Sequence, residues 1–209
     1  MSKYTSEFTS IEGIVYKVEI STDKGNATEN FVLGGTPFVT QMDSDGKTIY
    51  APIKSSGATI EMLTSKMPFE LYSSRTKGVK VTLTNTTANR IEWVGYVTPC
   101  AYDMGLDEEK EVIEIECVDG IAALKDMPYR SDSKDVDTFL NIVFGCLKRA
   151  GCYKNLYVTD NVQFSSSGTD SIMSKLRVSE ANFYEEKDSE NQPDDSVAWN
   201  CYDVLFEVM

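Results

Sequence analysis

Apolar and polar residues alternate in four separate stretches of this chain. Ile14, Tyr16, Val18 and Ile20 form one set, Ala58, Ile60 and Met62 a second, and Val79, Val81 and Leu83 a third. The fourth pairs Ile113, Ile115 and Cys117 against Glu114 and Glu116. Successive strand side chains point to opposite faces, so a period of two predicts a strand with one buried face. "RIEWVGYVTP" reads as a further strand. Turn chemistry separates these stretches: "STDKGNATEN", the Gly34-Gly35 and Pro37 breaks in "FVLGGTPFV", and Asp45-Gly46 in "QMDSDGKTIY", which suits a two-residue hairpin. Such strands predict a β-barrel or curved antiparallel sheet from about residue 8 to 119.

Beyond residue 130 the period changes. In "DSKDVDTFLNIVFGCLKRAG", Val136, Phe139, Leu140, Val143 and Leu147 recur at helical spacing. Asp132 or Ser133 can cap the start, Lys148 and Arg149 suit the negative end of the helix dipole, and Gly151 suits the residue after the last turn. "NLYVTDNVQF" reads as a short strand, "DSIMSKLRV" as a short helical turn and "EEKDSENQPDD" as an exposed loop. "WNCYDVLFEVM" starts a helix capped by Asn200, with Val204, Leu205 and Val208 on one face. It stops at Met209 in mid-pattern, so the parent chain is expected to continue. The expected fold is β-rich α+β: a barrel-like domain over residues 1–130, then a smaller α/β portion over 131–209. No tandem repeat is evident.

Charge and residue usage bound the function. With 20 Lys plus Arg against 33 Asp plus Glu, the formal net charge is −13, and such a surface repels phosphate backbones. No nucleic-acid partner is expected. The apolar runs are too short to span a bilayer, so no membrane insertion is expected, and "MSKYTSEFTS" lacks the apolar core of a secretory signal. Histidine is absent, which removes the commonest general base and metal ligand. The five cysteines (Cys100, Cys117, Cys146, Cys152 and Cys201) show no CxxC spacing. They argue against a zinc site or a disulfide framework, and Cys100, Cys117 and Cys146 read as small buried apolar residues. No cofactor and no enzymatic activity are expected.

Each candidate for chemistry also has an architectural reading. Asp119 ends a strand and precedes "GIAAL", so its carboxylate suits the first N–H groups of a short helix better than a catalytic role. "DSDGKT" places Asp43, Asp45 and Gly46 as in a calcium loop, but lacks the acidic twelfth position. Asp107, Glu108, Glu109 and Glu111 are too close in sequence to face each other across a glycosidase cleft, and read as a solvated turn. Trp93, Tyr96 and Tyr102 could stack against a sugar, but Trp93 alternates with Ile91 and Gly95 and reads as core.

The order of motifs adds a resemblance. "LGGTPFVTQMDSDGKTIYAPIKSSGATIEML", "MPFELYSSRTKGVKVTL", "WVGYVTPCAYDMGL" and "VIEIECVDGIAALKDMPY" together resemble the N-terminal part of bacteriophage and prophage tail hub proteins, related to the baseplate hub of contractile phages. The versions "PIKSSGATI" and "WVGYVTP" are most similar to those of Bacteroidales phages and prophages. The matching positions are Trp93, Gly95, Asp119, Gly120 and Leu124, with Tyr129 downstream. The resemblance implies a non-catalytic structural protein of the virion tail, assembled in the bacterial cytoplasm. Its implied partners are copies of itself, in a ring such as a trimer, and other tail proteins. Two alternatives remain open: a surface adhesin or carbohydrate-binding β module, and a cell-wall hydrolase using two carboxylates.

Overall fold

The computed structural model describes residues 2–25, 28–42, 53–65, 68–71, 73–99, 110–130, 135–152, 171–185 and 197–209. The chain divides into two compact units, Met1–Ile49 with Lys54–Ala123, and Tyr50–Ile53 with Leu124–Met209. Several expected features lie outside the described residues: the Asp45-Gly46 hairpin, Asp43, Cys100, Tyr102, the cluster Asp107 to Glu109, the caps Asp132 and Ser133, the strand in "NLYVTDNVQF", and all of the acidic loop after Glu185.

The first unit holds eight strands: β1 (Ser2–Thr9), β2 (Val15–Thr22), β3 (Thr28–Asn30), β4 (Val32–Met42), β5 (Ser56–Thr64), β6 (Val79–Asn85), β7 (Arg90–Val97) and β8 (Glu111–Asp119). They form one sheet in the order β3-β1-β2-β6-β7-β8-β5-β4, antiparallel except for the parallel β1–β3 pair. The four alternating stretches are β2, β5, β6 and β8. Their inward residues, among them Val18, Ile20, Ile60, Val81 and Ile115, make the core at 0–1% exposure. Alternation thus converts directly into a one-sided core.

Three features of the sheet depart from the expectation. β1 is a full strand, paired with β2 from Ser2↔Thr22 to Thr9↔Val15. Its polar composition hides it, since only Tyr4 and Phe8 among its residues pack against the core. The Gly34-Gly35 and Pro37 breaks do not end a strand. They form a bulge within β4, between the pairs Leu33↔Met62 and Phe38↔Ile60. Pro37 is tolerated because β4 is an edge strand, and Gly34 is needed because a Cβ there would lie 2.7 Å from Glu61 Oε2. The third is a bulge in β7 at Glu92, between Leu83↔Trp93 and Thr84↔Ile91. It breaks the alternation, so Trp93 turns into the core while Ile91 stays 49% exposed.

The barrel alternative gives way to the curved sheet. The two edges, β3 and β4, are consecutive in the chain and separated by Phe31 alone, whose N–H donates to the Thr5 carbonyl at 3.2 Å. The sheet curls until its edges meet at that residue, but no ladder closes it. Beyond Thr5, the side of β1 turned away from β2 has no strand partner among the described residues.

The second unit holds β9 (Val136–Thr138), α1 (Phe139–Ala150), β10 (Arg177–Ser179), β11 (Tyr184–Glu185), β12 (Val197–Ala198) and α2 (Cys201–Val208). The strands form two short antiparallel pairs, β9–β10 and β11–β12. α1 starts later than its apolar spacing predicts, because Val136 belongs to β9 and Thr138 supplies the cap through its Oγ1, which accepts from Asn141 N–H at 3.3 Å. The other end is as expected: Gly151 is left-handed at φ 69° and donates to the Lys148 carbonyl. α2 is capped by Asn200, whose Oδ1 accepts from Asp203 N–H at 2.8 Å. Val204, Leu205 and Val208 are buried with Ile142, Cys146 and Phe183 in a second core. Leu124 and Tyr129, counted with the first domain in the sequence, pack in this second core. The protein is a β-rich α+β fold. No helix among the described residues is long and apolar enough to cross a membrane.

Candidate functional site

Three of the singled-out residues, Trp93, Gly95 and Asp119, meet at one end of the sheet. Gly95 stands opposite Asp119 in the β7–β8 pairing. A Cβ on Gly95 would fall 2.2 Å from the Val118 carbonyl oxygen and 2.3 Å from the Trp93 ring, so only glycine lets the indole lie there. The indole Nε1–H donates to Ser56 Oγ at 3.1 Å. Ser56 in turn donates its hydroxyl and its backbone N–H to Asp119 Oδ2, at 2.8 and 2.6 Å.

The other carboxylate oxygen, Oδ1, accepts from Ala122 N–H at 2.8 Å, at the start of the 3-10 turn Ala122–Asp126. Asp119 therefore caps this turn and also ties β8 to the first residue of β5. Three donors converge on one carboxylate and satisfy both of its oxygens. Gly120 is buried in the turn, and Leu124 is 0% exposed in the second core, apart from this cluster. Sequence reasoning missed Ser56. Nothing in "KSSGAT" marks it, and its role follows from the register that sets β5 beside β8.

Beside this cluster lies a slot of about 480 Å³, lined by Phe8, Tyr16, Phe38, Met42 and Trp93 with Glu92 at its side. Phe8 and Tyr16 stack at 5.4 Å, and Phe38 meets Trp93 edge-on at 5.7 Å. Arg90 donates to both oxygens of Glu92, at 2.8 and 3.0 Å, and this bond holds the Glu92 carboxyl below its ordinary range. The sugar-stacking trio does not assemble here: Trp93 and Tyr96 lie an odd number of residues apart on β7, beyond its bulge, and so face opposite sides of the sheet. At the far end of the sheet, Tyr4 donates to Glu70 Oε2 at 2.9 Å. Burial, then that bond, raises the Tyr4 phenol to about 12.

In the second unit, the Tyr129 hydroxyl donates to Glu180 Oε1, and both residues are buried. Burial, reinforced by Glu180, pushes the phenol well above its ordinary value. Cys146 is fully buried, and its interaction with Cys201 together with burial raises the thiol strongly, which makes it a poor nucleophile. Cys117 and Cys201 are buried as well. Among the described residues, no three of His, Cys, Asp and Glu stand together as metal ligands. No family model, curated protein or solved structure matches the chain.

Proposed function

We propose that this protein is a structural component of a phage tail tip or baseplate hub, or of a phage-derived injection apparatus, and that it works by self-association and by docking other tail proteins. The observation that carries this reading is an aliphatic row on the outer face of the curled sheet. Val32 of β4 stands opposite Leu63 of β5, which stands opposite Val112 of β8. Val32 and Val112 are 55% and 53% exposed. This short apolar row is the part of the outer face best suited to being covered by protein. The motif order over residues 30–130 supports the same reading, and the Asp119 carboxylate is engaged by three donors within the fold.

The adhesin alternative has the aromatic slot in its favour. Its rings, however, pack against one another, and Trp93 is only 9% exposed, so the indole face is not open to stack on a sugar.

Self-association must overcome charge. Glu61 and Glu114 stand directly opposite each other on the same outer face, and the chain carries −13. Like-charged copies repel until salt shortens the Debye length to about 8 Å, and a stable contact needs roughly 1,000 Å² or more of buried surface. Light scattering over a concentration and salt series tests the reading. The expected result is a 23.3 kDa monomer at low salt and micromolar concentration, with trimers or larger rings as both rise. Val112→Asp should suppress the larger species. A chain that stays monomeric throughout and binds glycans overturns the proposal in favour of the adhesin.

A further inference from the structure

The curled sheet has a seam where its two ends approach without pairing, and we propose that this seam accepts an extended segment of another protein, apolar at alternate positions and carrying Lys or Arg between them. The first observation is backbone. Ser6–Thr9 of β1 on one side and Phe38–Met42 of β4 on the other have no ladder partner toward the seam among the described residues. Unpaired strand edges are templates for a further strand, whose main chain supplies affinity and whose alternate side chains supply selectivity.

The second observation is the slot itself. Phe8 comes from β1, Phe38 and Met42 from β4, and Tyr16, Leu83 and Trp93 from β2, β6 and β7, so the space of about 480 Å³ opens inside the curl with residues of both free edges on its wall. That volume is within the roughly 300–1,000 Å³ range of pockets that enclose ligand groups. Every second side chain of an added strand would point into it. Met42, on its wall, is 69% exposed.

Charge selects the occupant. Near this end, Lys17 is bridged to Glu19 at 3.4 Å and Arg90 to Glu92 at 2.8 Å. Glu7 is exposed opposite Lys17 in the β1–β2 pairing, already shared with Glu19, and Glu12 is exposed with no ion pair among the described residues. Local carboxylates are therefore in excess, and a basic strand relieves them where an acidic one is repelled. The inference does not rest on the hub reading. A chain that fails to self-associate can still bind such a strand, and the two experiments fail separately.

Trp93 lines the slot, and Trp199 is the protein's other tryptophan, so Trp199→Phe leaves a single reporter at the site. The probe is a short, terminally blocked peptide alternating Val with Lys. It should change Trp93 emission saturably, and the change should weaken as salt rises. A Val/Glu peptide should bind about tenfold more weakly or worse, and a Val/Lys peptide interrupted by Pro should not bind. Because Glu12 is exposed in the β1–β2 turn, Glu12→Lys should keep its melting temperature and shift the preference toward the Val/Glu peptide. The proposal is overturned by no saturable response to either peptide, by equal responses to both, by binding that survives the Pro interruption, or by a response to oligosaccharides instead.

Discussion

Asp119, half-buried, and Glu180, buried, are two carboxylates held in opposite ways. Asp119 accepts from two backbone N–H groups and a serine hydroxyl, and through them it joins β5, β8 and the following turn. Trp93 enters the same network through Ser56. Glu180 accepts from a phenol, Tyr129, across the second unit. Backbone donors do not titrate in the ordinary range, whereas a phenol does. The first cluster therefore fixes the path of the chain through backbone bonds, while the second is an alkaline-sensitive tie between side chains. Both carboxylates serve architecture, but only Glu180 is met by a donor that itself loses its proton in alkali.

The largest expected effect tests how tightly the first cluster is built. Gly95→Ala must push its Cβ into a backbone carbonyl and the Trp93 ring, and should cost about 3 kcal/mol or more. Urea denaturation measures it. An unchanged midpoint would mean that the indole and the strand can part without loss.

Asp119→Ala should come next, at about 2–3 kcal/mol, because it strips the acceptor from three donors. A simple helix cap typically contributes about 1 kcal/mol. A measured loss of that smaller size would show that the Ser56 bonds add nothing, and the contrast with Glu180 would lose half its basis. Asp119→Asn should recover part of the loss, since its amide oxygen still accepts.

Tyr129→Phe should cost about 1–2 kcal/mol at neutral pH through the lost bond to Glu180. Its sharper signature is in alkali. The folded phenol keeps its proton above the unfolded value of about 10. Stability from this group is therefore fully present below pH 10 and is lost as pH rises through the folded value. The slope approaches about 1.4 kcal/mol per pH unit for one group. Chemical denaturation from pH 8 to 12 should show a shallower alkaline decline in Tyr129→Phe than in the parent. Parallel declines would separate Tyr129 from the alkaline behaviour. Tyr4→Phe should have the smallest effect, about 0.5–1 kcal/mol, since this phenol is only partly buried and its bond to Glu70 lies nearer solvent.

The first unit was legible where one face of a strand is buried. β2, β5, β6 and β8 carry their burial pattern in alternate residues, so period alone marks them. β1 was not legible, because it meets the core with Tyr4 and Phe8 and otherwise presents Ser, Thr, Lys and Glu. The helix caps divide in the same way. Asn200 and Gly151 act within three residues of their partners and were readable, whereas Val136 was drawn from the helix into β9 by pairing with the distant Ser179. At the candidate site, Asp119 could be read as a cap from the turn that follows it, but its second partner, Ser56, is 63 positions away.

The sequence by itself determined the β-rich class, four strand faces, the ends of two helices and the local role of Asp119, because each depends on side-chain direction or hydrogen bonds within a few residues. Tertiary structure alone decided the bulges at Gly34–Pro37 and Glu92, the joining of Trp93 to Asp119 through Ser56, and the seam that leaves the sheet curled but unclosed. These depend on register between strands far apart in the chain. A shift of one residue turns every side chain to the opposite face, and no local pattern reveals which distant strand will set that register.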